Sequence, residues 1–266
     1  MGVWSEEFEE TKSGEAKSEE TEKMSMTVNI QNEEQSKIEL TGIELTILMP
    51  CLNEEQTVGS CVTIACNYLK DRKLSGEVLV CDNGSTDLSV KRAEEAGAQV
   101  ISCNRTGYGN TLRYGIEHSH GTYIIMGDCD MSYDFAALDE MYQALTAGND
   151  MVIGNRFVYP TERGAMPFSH KYLGVPVLSW LGRIRYKSTV KDFHCGLRGV
   201  KRDSFLALSC KAEGMEFATE MIGLATKAGQ SVAQVPVVLY RDQRNGKSHL
   251  HSIRDGFRHL KVLCGK

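Results

Sequence analysis

The chain has 266 residues, 41% hydrophobic and 24% charged, an ordinary globular balance with material for a sizeable core. Its net charge of −5 is unevenly placed: residues 1–40 hold eleven Glu and four Lys, a local −7, which leaves the other 226 residues at +2. That is too little positive charge for a general nucleic-acid binder, and no run approaches the roughly 18 apolar residues of a membrane span.

Residues 1–42 are rich in Glu, Ser, Thr and Lys and poor in aromatic and branched apolar side chains. Such a segment cannot bury enough surface to offset its chain entropy, so a disordered acidic leader is predicted there. It lacks the basic start and apolar middle of a signal peptide. From Glu44 the pattern changes. Strands are predicted at Glu44–Leu52, Glu77–Asp82, Ala98–Cys103, Thr122–Asp128 and Asp150–Gly154. Helices are predicted between them at Glu54–Lys70, Leu88–Ala96, Tyr108–Ser119 and Phe135–Ala147. Alternation of this kind implies right-handed crossovers and a mostly parallel sheet covered by helices on both faces, an α/β fold. Beyond it, Phe168–Tyr186 mixes apolar and basic residues, Gly214–Ala228 reads as a helix and Ser231–Tyr240 as a strand. A basic amphipathic helix is predicted over Leu250–Cys264, so residues 43–248 form the main domain and 249–266 a separate helical end.

Nine cysteines stand at 51, 61, 66, 81, 103, 129, 195, 210 and 264. The odd number, the absence of Cys-x-x-Cys and the apolar surroundings read as reduced thiols in a cytoplasmic protein rather than disulfides or zinc ribbons. His194 stands without a second ligand pair, which makes a zinc site improbable.

In a parallel sheet the ligand lies outside the carboxyl ends of the strands, which here are Asn53, Asp82, Asn104 and Asp128. Asp128-Cys129-Asp130 follows a buried strand directly. Two carboxylates one residue apart at a strand end can converge on a hard divalent cation and leave positions for phosphate oxygens and water, although a solvated acidic turn has the same sequence. Asp82 closes an apolar run, where its carboxylate could accept from the N–H of a base, and Asp87 reads as a helix N-cap. Asn104–Asn110 places Gly107 and Gly109 before a helix; close approach to a nucleoside and tight packing between strand and helix both require glycine there.

These segments, with Pro50-Cys51-Leu52-Asn53-Glu54 before them, occur in the order and spacing of family 2 glycosyltransferases, which the chain resembles over about residues 44–260. The likeness continues through Gly154–Phe157, Asp192–Arg198, Gly214–Phe217 and Arg244–Ser248, and is strongest to the polyprenyl-phosphate branch, similar to dolichol-phosphate mannose or glucose synthases. The resemblance implies a GT-A fold and an inverting transfer of a hexosyl unit from a UDP- or GDP-hexose to a polyprenyl phosphate, with Mg²⁺ or Mn²⁺ held by Asp128 and Asp130. It places Pro50, Asn53, Glu54, Asp82, Gly107, Gly109, Asp128, Arg156, Arg244 and Ser248 around the nucleotide sugar, with Asp82 on the base and the arginines on phosphates. Asp192 and Arg198 are the implied catalytic residues, Asp192 as a base beside the acceptor or as an orienting group. Two departures stand out: many relatives have Asp at Asn83, and some have Gln at Ser132.

A sugar hydroxyl acceptor needs a base, and Glu216 and Glu220 are alternatives to Asp192 for that task; a phosphate acceptor is already anionic. Two other functions fit the same residues: transfer to a protein or glycan hydroxyl, and a nucleotide-sugar-binding subunit without turnover. In the last helix Leu250, Ile253, Phe257, Leu260 and Cys264 recur at helical spacing, with Arg254, Arg258 and Lys261 on other sides. That stripe either packs into the core or lies on an anionic membrane, which would make the protein peripheral on the cytoplasmic membrane face.

Overall fold

The strands are β1 (Leu45–Cys51), β2 (Gly76–Asp82), β3 (Gln99–Ser102), β4 (Tyr123–Met126), β5 (Met151–Asn155), β6 (Arg198–Lys201) and β7 (Val232–Pro236). The helices are α1 (Val58–Arg72), α2 (Ser89–Glu95), α3 (Tyr108–His118), α4 (Asp139–Thr146), α5 (Val175–Tyr186), α6 (Arg202–Leu206), α7 (Phe217–Lys227) and α8 (Ser252–Leu263), with a π-helical turn at His170–Gly174 leading into α5. This computed structural model describes residues 42–243 and 252–264. The predicted leader, apart from Gly42, and Arg244 and Ser248 lie outside the described residues.

One seven-stranded sheet has the order β3-β2-β1-β4-β6-β5-β7. β1 pairs in parallel with β2 and β4, β2 with β3, and β5 with β7, while β6 runs antiparallel to both β4 and β5. The central strands are buried on both faces, and for that reason LTILMPC and EVLVC carry continuous apolar runs rather than alternation. Leu45, Ile47, Leu48, Leu79, Ile124 and Ile125 form the middle of the core.

The predicted elements are present with shifted ends. α1 starts at Val58 rather than Glu54 because the Glu54 carbonyl accepts the N–H groups of Thr57 and Val58 as a turn. The last strand ends at Pro236 rather than Tyr240. Neither β6 nor α6 was predicted. β6 has four residues with cationic ends, Arg198-Gly199-Val200-Lys201, so no apolar run marks it. Reversing direction, it brings the 192–197 loop to the edge where the parallel strands end.

α8 docks by a face the sequence did not suggest. Arg258 pairs with Glu216 at 2.8 Å, His259 Nδ1 lies 2.8 Å from Thr219 Oγ1, and the Leu263 and Val262 carbonyls accept from Arg185 and Tyr186. Asp255, His259 and Leu263 are buried, whereas Phe257 is 65% exposed and Leu260 and Cys264 also face outward. The stripe read as core-packing or interfacial is therefore not packed into the core over its described part.

His259 meets the His194 ring edge-on at 4.5 Å. Burial, with Arg198 and Arg258 adding to it against Glu216 and Asp255, pulls the His259 pKa down to about 4, and burial beside His259 and two arginines holds His194 well below its ordinary value. Both rings are neutral when folded, whereas in the unfolded chain they take up protons near pH 6.5. The unfolded state thus binds more protons between about pH 4 and 6.5, and stability falls as pH falls through that window. Thermal unfolding of wild type and His259→Gln across pH 7 to 4 checks this: the wild type is expected to lose the larger increment, on the order of 3 kcal/mol from this histidine.

Candidate active site

The loops after β1 and β2 are joined by side chains. Asn53 adopts a left-handed backbone (φ 56°), tolerable for Asn, and its Oδ1 accepts from the Thr86 N–H at 2.8 Å while its own N–H donates to Ser85 Oγ. The N–H groups of Glu54 and Glu55 donate to Ser89 Oγ and Asp87 Oδ2. Asp87, predicted as the N-cap, instead stands one residue before it, Leu88 holding the cap position, and accepts from the Ser89 N–H at 2.9 Å. Pro50 supplies a carbonyl that accepts from Cys129 Sγ, tying the end of β1 to the segment after β4.

Asp82 is buried at the end of β2 and accepts from the N–H groups of Gly84 and Ser85 at 3.0 and 3.2 Å. Those bonds fix its orientation and leave lone pairs for a further donor. Asn83 explains one departure from the family pattern. Its amide donates to the Cys103 and Arg105 carbonyls and accepts from the Gly107 N–H at 2.9 Å. A carboxylate cannot make those donations.

Gly107 and Gly109 are required by packing. At Gly107 (φ 128°) a Cβ would lie 2.3 Å from the Glu213 carbonyl, and at Gly109 it would lie 2.4 Å from that of Ala212. The N–H of Gly109 also donates to the Glu213 carbonyl at 2.9 Å. These glycines let the start of α3 press against the 212–214 segment. Tyr108 between them was missed: burial, with the nearby Asp128 carboxylate adding to it, raises its pKa well above the ordinary value.

Asp128 and Asp130 follow β4 on the same sheet edge. Gly196 makes room for Asp128, since a Cβ there would sit 2.6 Å from Oδ2. Asp130 is buried and its Oδ1 accepts from the Ser132 N–H at 3.0 Å. Met131 between them has φ 66°, a strained conformation for a side-chain-bearing residue. The N–H groups of Tyr240 and Gln243 donate to the Ser132 and Asp130 carbonyls, so residues 240–243 pass beside this turn. Among the described residues no group of three or more His, Cys, Asp or Glu side chains is arranged to hold a metal ion. The two aspartates are hard oxygen donors that suit an ion completing its sphere with phosphate and water.

Beyond β5 the buried pair is Arg156 and Asp192. The guanidinium Nε and Nη2 donate to the two carboxylate oxygens at 2.7 and 2.9 Å, and the His194 N–H donates to Oδ1 at 3.1 Å. Burial opposes the charge on Arg156, but Asp192 more than offsets it and holds the pKa well above the ordinary value. Asp192 is thus oriented on Arg156, not on Arg198. Arg198 itself is buried, with Nε, Nη1 and Nη2 donating to the carbonyls of Cys195, Ala218 and Phe193. It organises the 192–197 loop against α7. Tyr133, also missed, accepts from the Gly196 N–H at 2.9 Å in the same loop. Glu216 accepts from Arg258 and the Gly214 N–H, and Glu220 accepts from the Lys211 and Ala212 N–H groups.

Residues 46–208 match the family described as Glycosyl transferase family 2. A hexosyltransferase of low-salt glycan biosynthesis in Haloferax volcanii, Agl6, is 36% identical over 220 residues, 82% of this chain and 52% of that protein, so the chain spans about half its length. A protein of the same organism named dolichyl-phosphate hexose transferase is 27% identical over 219 residues, 82% of this chain and 91% of that one. Among solved structures, glucosyl-3-phosphoglycerate synthase of Mycobacterium tuberculosis with Mg²⁺ and UDP superposes with a TM-score of 0.67 at 21% identity, covering 86% of this chain and 82% of the other, a likeness of fold.

Proposed function

The chain belongs to glycosyl transferase family 2, and from that premise we propose that it moves a hexosyl unit from a nucleotide diphosphate sugar to a polyprenyl phosphate with inversion at the anomeric carbon. The observation that carries this reading is that Asp82 ends β2 while Asp128 and Asp130 follow β4, both strands running parallel to β1, so that all three leave the sheet at the same edge. Asp82 receives the N–H of the base, and Asn53 and Glu54 hold the loop beside it. Asp128 and Asp130 would hold a divalent ion, which would supply positive charge against the departing diphosphate. Solved relatives carrying Mn²⁺ with UDP-glucose support the donor and the ion. The Arg156–Asp192 pair and Arg198 act as positioning groups for the loop beside the acceptor, and the family resemblance assigns Arg244 and Ser248, outside the described residues, to the phosphates.

An oxygen of the acceptor phosphate attacks the anomeric carbon from the face opposite the nucleotide. The new C–O bond forms as the bond to the diphosphate breaks, and the electron pair leaves with the nucleotide diphosphate. Each carboxylate considered as a base for a hydroxyl acceptor already holds another group: Asp192 holds Arg156, Glu216 holds Arg258, and Glu220 holds two backbone N–H groups. A phosphate acceptor needs no such base, which favours it. The name of the dolichyl-phosphate hexose transferase relative points the same way, and a lipid-borne acceptor places the enzyme at a membrane surface.

The test incubates the protein with Mn²⁺, labelled UDP- and GDP-hexoses and a polyprenyl phosphate. Label in a chloroform-extractable, acid-labile product is expected. Label retained on protein or glycan would move the acceptor to a hydroxyl, and nucleotide-sugar binding with no product would make the chain a binding subunit.

A further inference from the structure

We propose that the outward face of α5 and the π-helical turn before it is the surface by which this protein lies on an anionic lipid bilayer. Large apolar side chains are exposed here in a concentration found nowhere else among the described residues: Phe168 79%, Tyr172 61%, Leu173 65%, Val177 44%, Trp180 53% and Ile184 59%. Leu173, Val177, Trp180 and Ile184 follow one another at helical spacing, so they form one continuous stripe. The opposite side of α5 is the one that packs: Ser179, Gly182 and Tyr186 are buried, and Gly182 and Gly223 admit the rings of Phe193 and Tyr186.

Charge identifies the occupant. From Arg163 to Lys191 the sequence holds six Lys or Arg and no Asp or Glu, in a chain whose net charge is −5. Arg183, Arg185 and Lys187 are exposed beside the stripe. A protein partner hidden in a dry interface would disfavour so many cations with no carboxylate in the same segment, whereas anionic headgroups pair with them while the aromatic side chains enter the interfacial layer. Trp180, with an apolar body and an N–H that prefers water, suits that boundary. α8, packed beside α5, exposes Phe257 and Leu260 as well, with Arg254 and Lys261 exposed on the same helix. The face belongs to the segment that leads from Arg156 to Asp192, so a phosphate carried by a membrane lipid would be presented beside the proposed acceptor side. In that respect the inference rests on the polyprenyl phosphate reading.

The test sediments the full chain with phosphatidylcholine vesicles, with and without phosphatidylglycerol, in the absence of polyprenyl phosphate and nucleotide sugar. Binding to the anionic vesicles is expected to be at least about tenfold stronger than to neutral ones and to weaken with added salt. Trp180→Glu with Ile184→Glu, both exposed substitutions, is expected to lower it by at least about tenfold while thermal unfolding and transfer to a water-soluble short-chain isoprenyl phosphate are kept. Arg183→Gln with Lys187→Gln is expected to remove the preference for anionic lipid without changing the fold. Wild type that stays in the supernatant with both vesicles overturns the proposal, and so does undiminished binding by the Trp180/Ile184 variant. A dimer in solution that this variant dissociates, without vesicle binding, would assign the face to a second copy and overturn it as well. Vesicle binding without transfer sinks only the acceptor reading, and transfer without vesicle binding sinks only this surface.

Discussion

Asp128→Asn and Asp130→Asn are each expected to lower transfer by at least about 10³-fold while leaving the fold in place. An asparagine oxygen can still accept from the Ser132 N–H at position 130, so that local bond survives, and at position 128 the substitution keeps the side chain's shape. What is lost is one negative charge of two, in a site with no third cluster member among the described residues to replace it. The loss should appear in kcat, because the charge that the aspartates help offset develops as the diphosphate leaves. Turnover within about threefold of wild type in both variants, measured on the lipid product, would remove these residues from the mechanism.

Asp192→Asn is expected to have the largest effect on stability. It leaves the Arg156 guanidinium, buried beside it, without its carboxylate, and breaking one partner of a buried pair costs about 3–5 kcal/mol. For a chain of this size that corresponds to a fall in Tm of roughly 6–20 °C. Removing both charges, with Arg156→Met and Asp192→Asn together, should cost less than the two single changes summed, because no lone charge remains buried. Urea unfolding of the two single variants and the double one closes the cycle. Additive losses would mean that the two groups do not act as a pair.

Much of the α/β frame was legible because buried parallel strands leave continuous apolar runs with helical segments between them, and the two aspartates after β4 were legible because they sit at a strand end. β6 was hidden by its brevity and its cationic ends. The Arg156–Asp192 pair was hidden by separation: the residues stand 36 apart, and nothing in either local sequence names the other as partner. Gly107 and Gly109 carry two explanations, and the clash each Cβ would have with the 212–213 backbone shows tight packing, against that segment and not against a strand. Tyr108 could have been suspected from its place between them. Periodicity found the apolar stripe of α8 but could not say which way it faced, since the docking side is held by Arg258, His259 and the carbonyls of the last turn. The same limit applied to α5, where an exposed stripe and a buried one have the same spacing.

The central claim is that Asp128 and Asp130 grip a nucleotide diphosphate through a divalent ion, and calorimetric titration of UDP and GDP with Mn²⁺ and with EDTA tests it most directly. For the wild type, Mn²⁺ is expected to tighten one of the two nucleotides by at least about tenfold, and Asp130→Asn should abolish that gain. Equal affinity with Mn²⁺ and with EDTA, or an equal gain in the variant, would contradict it.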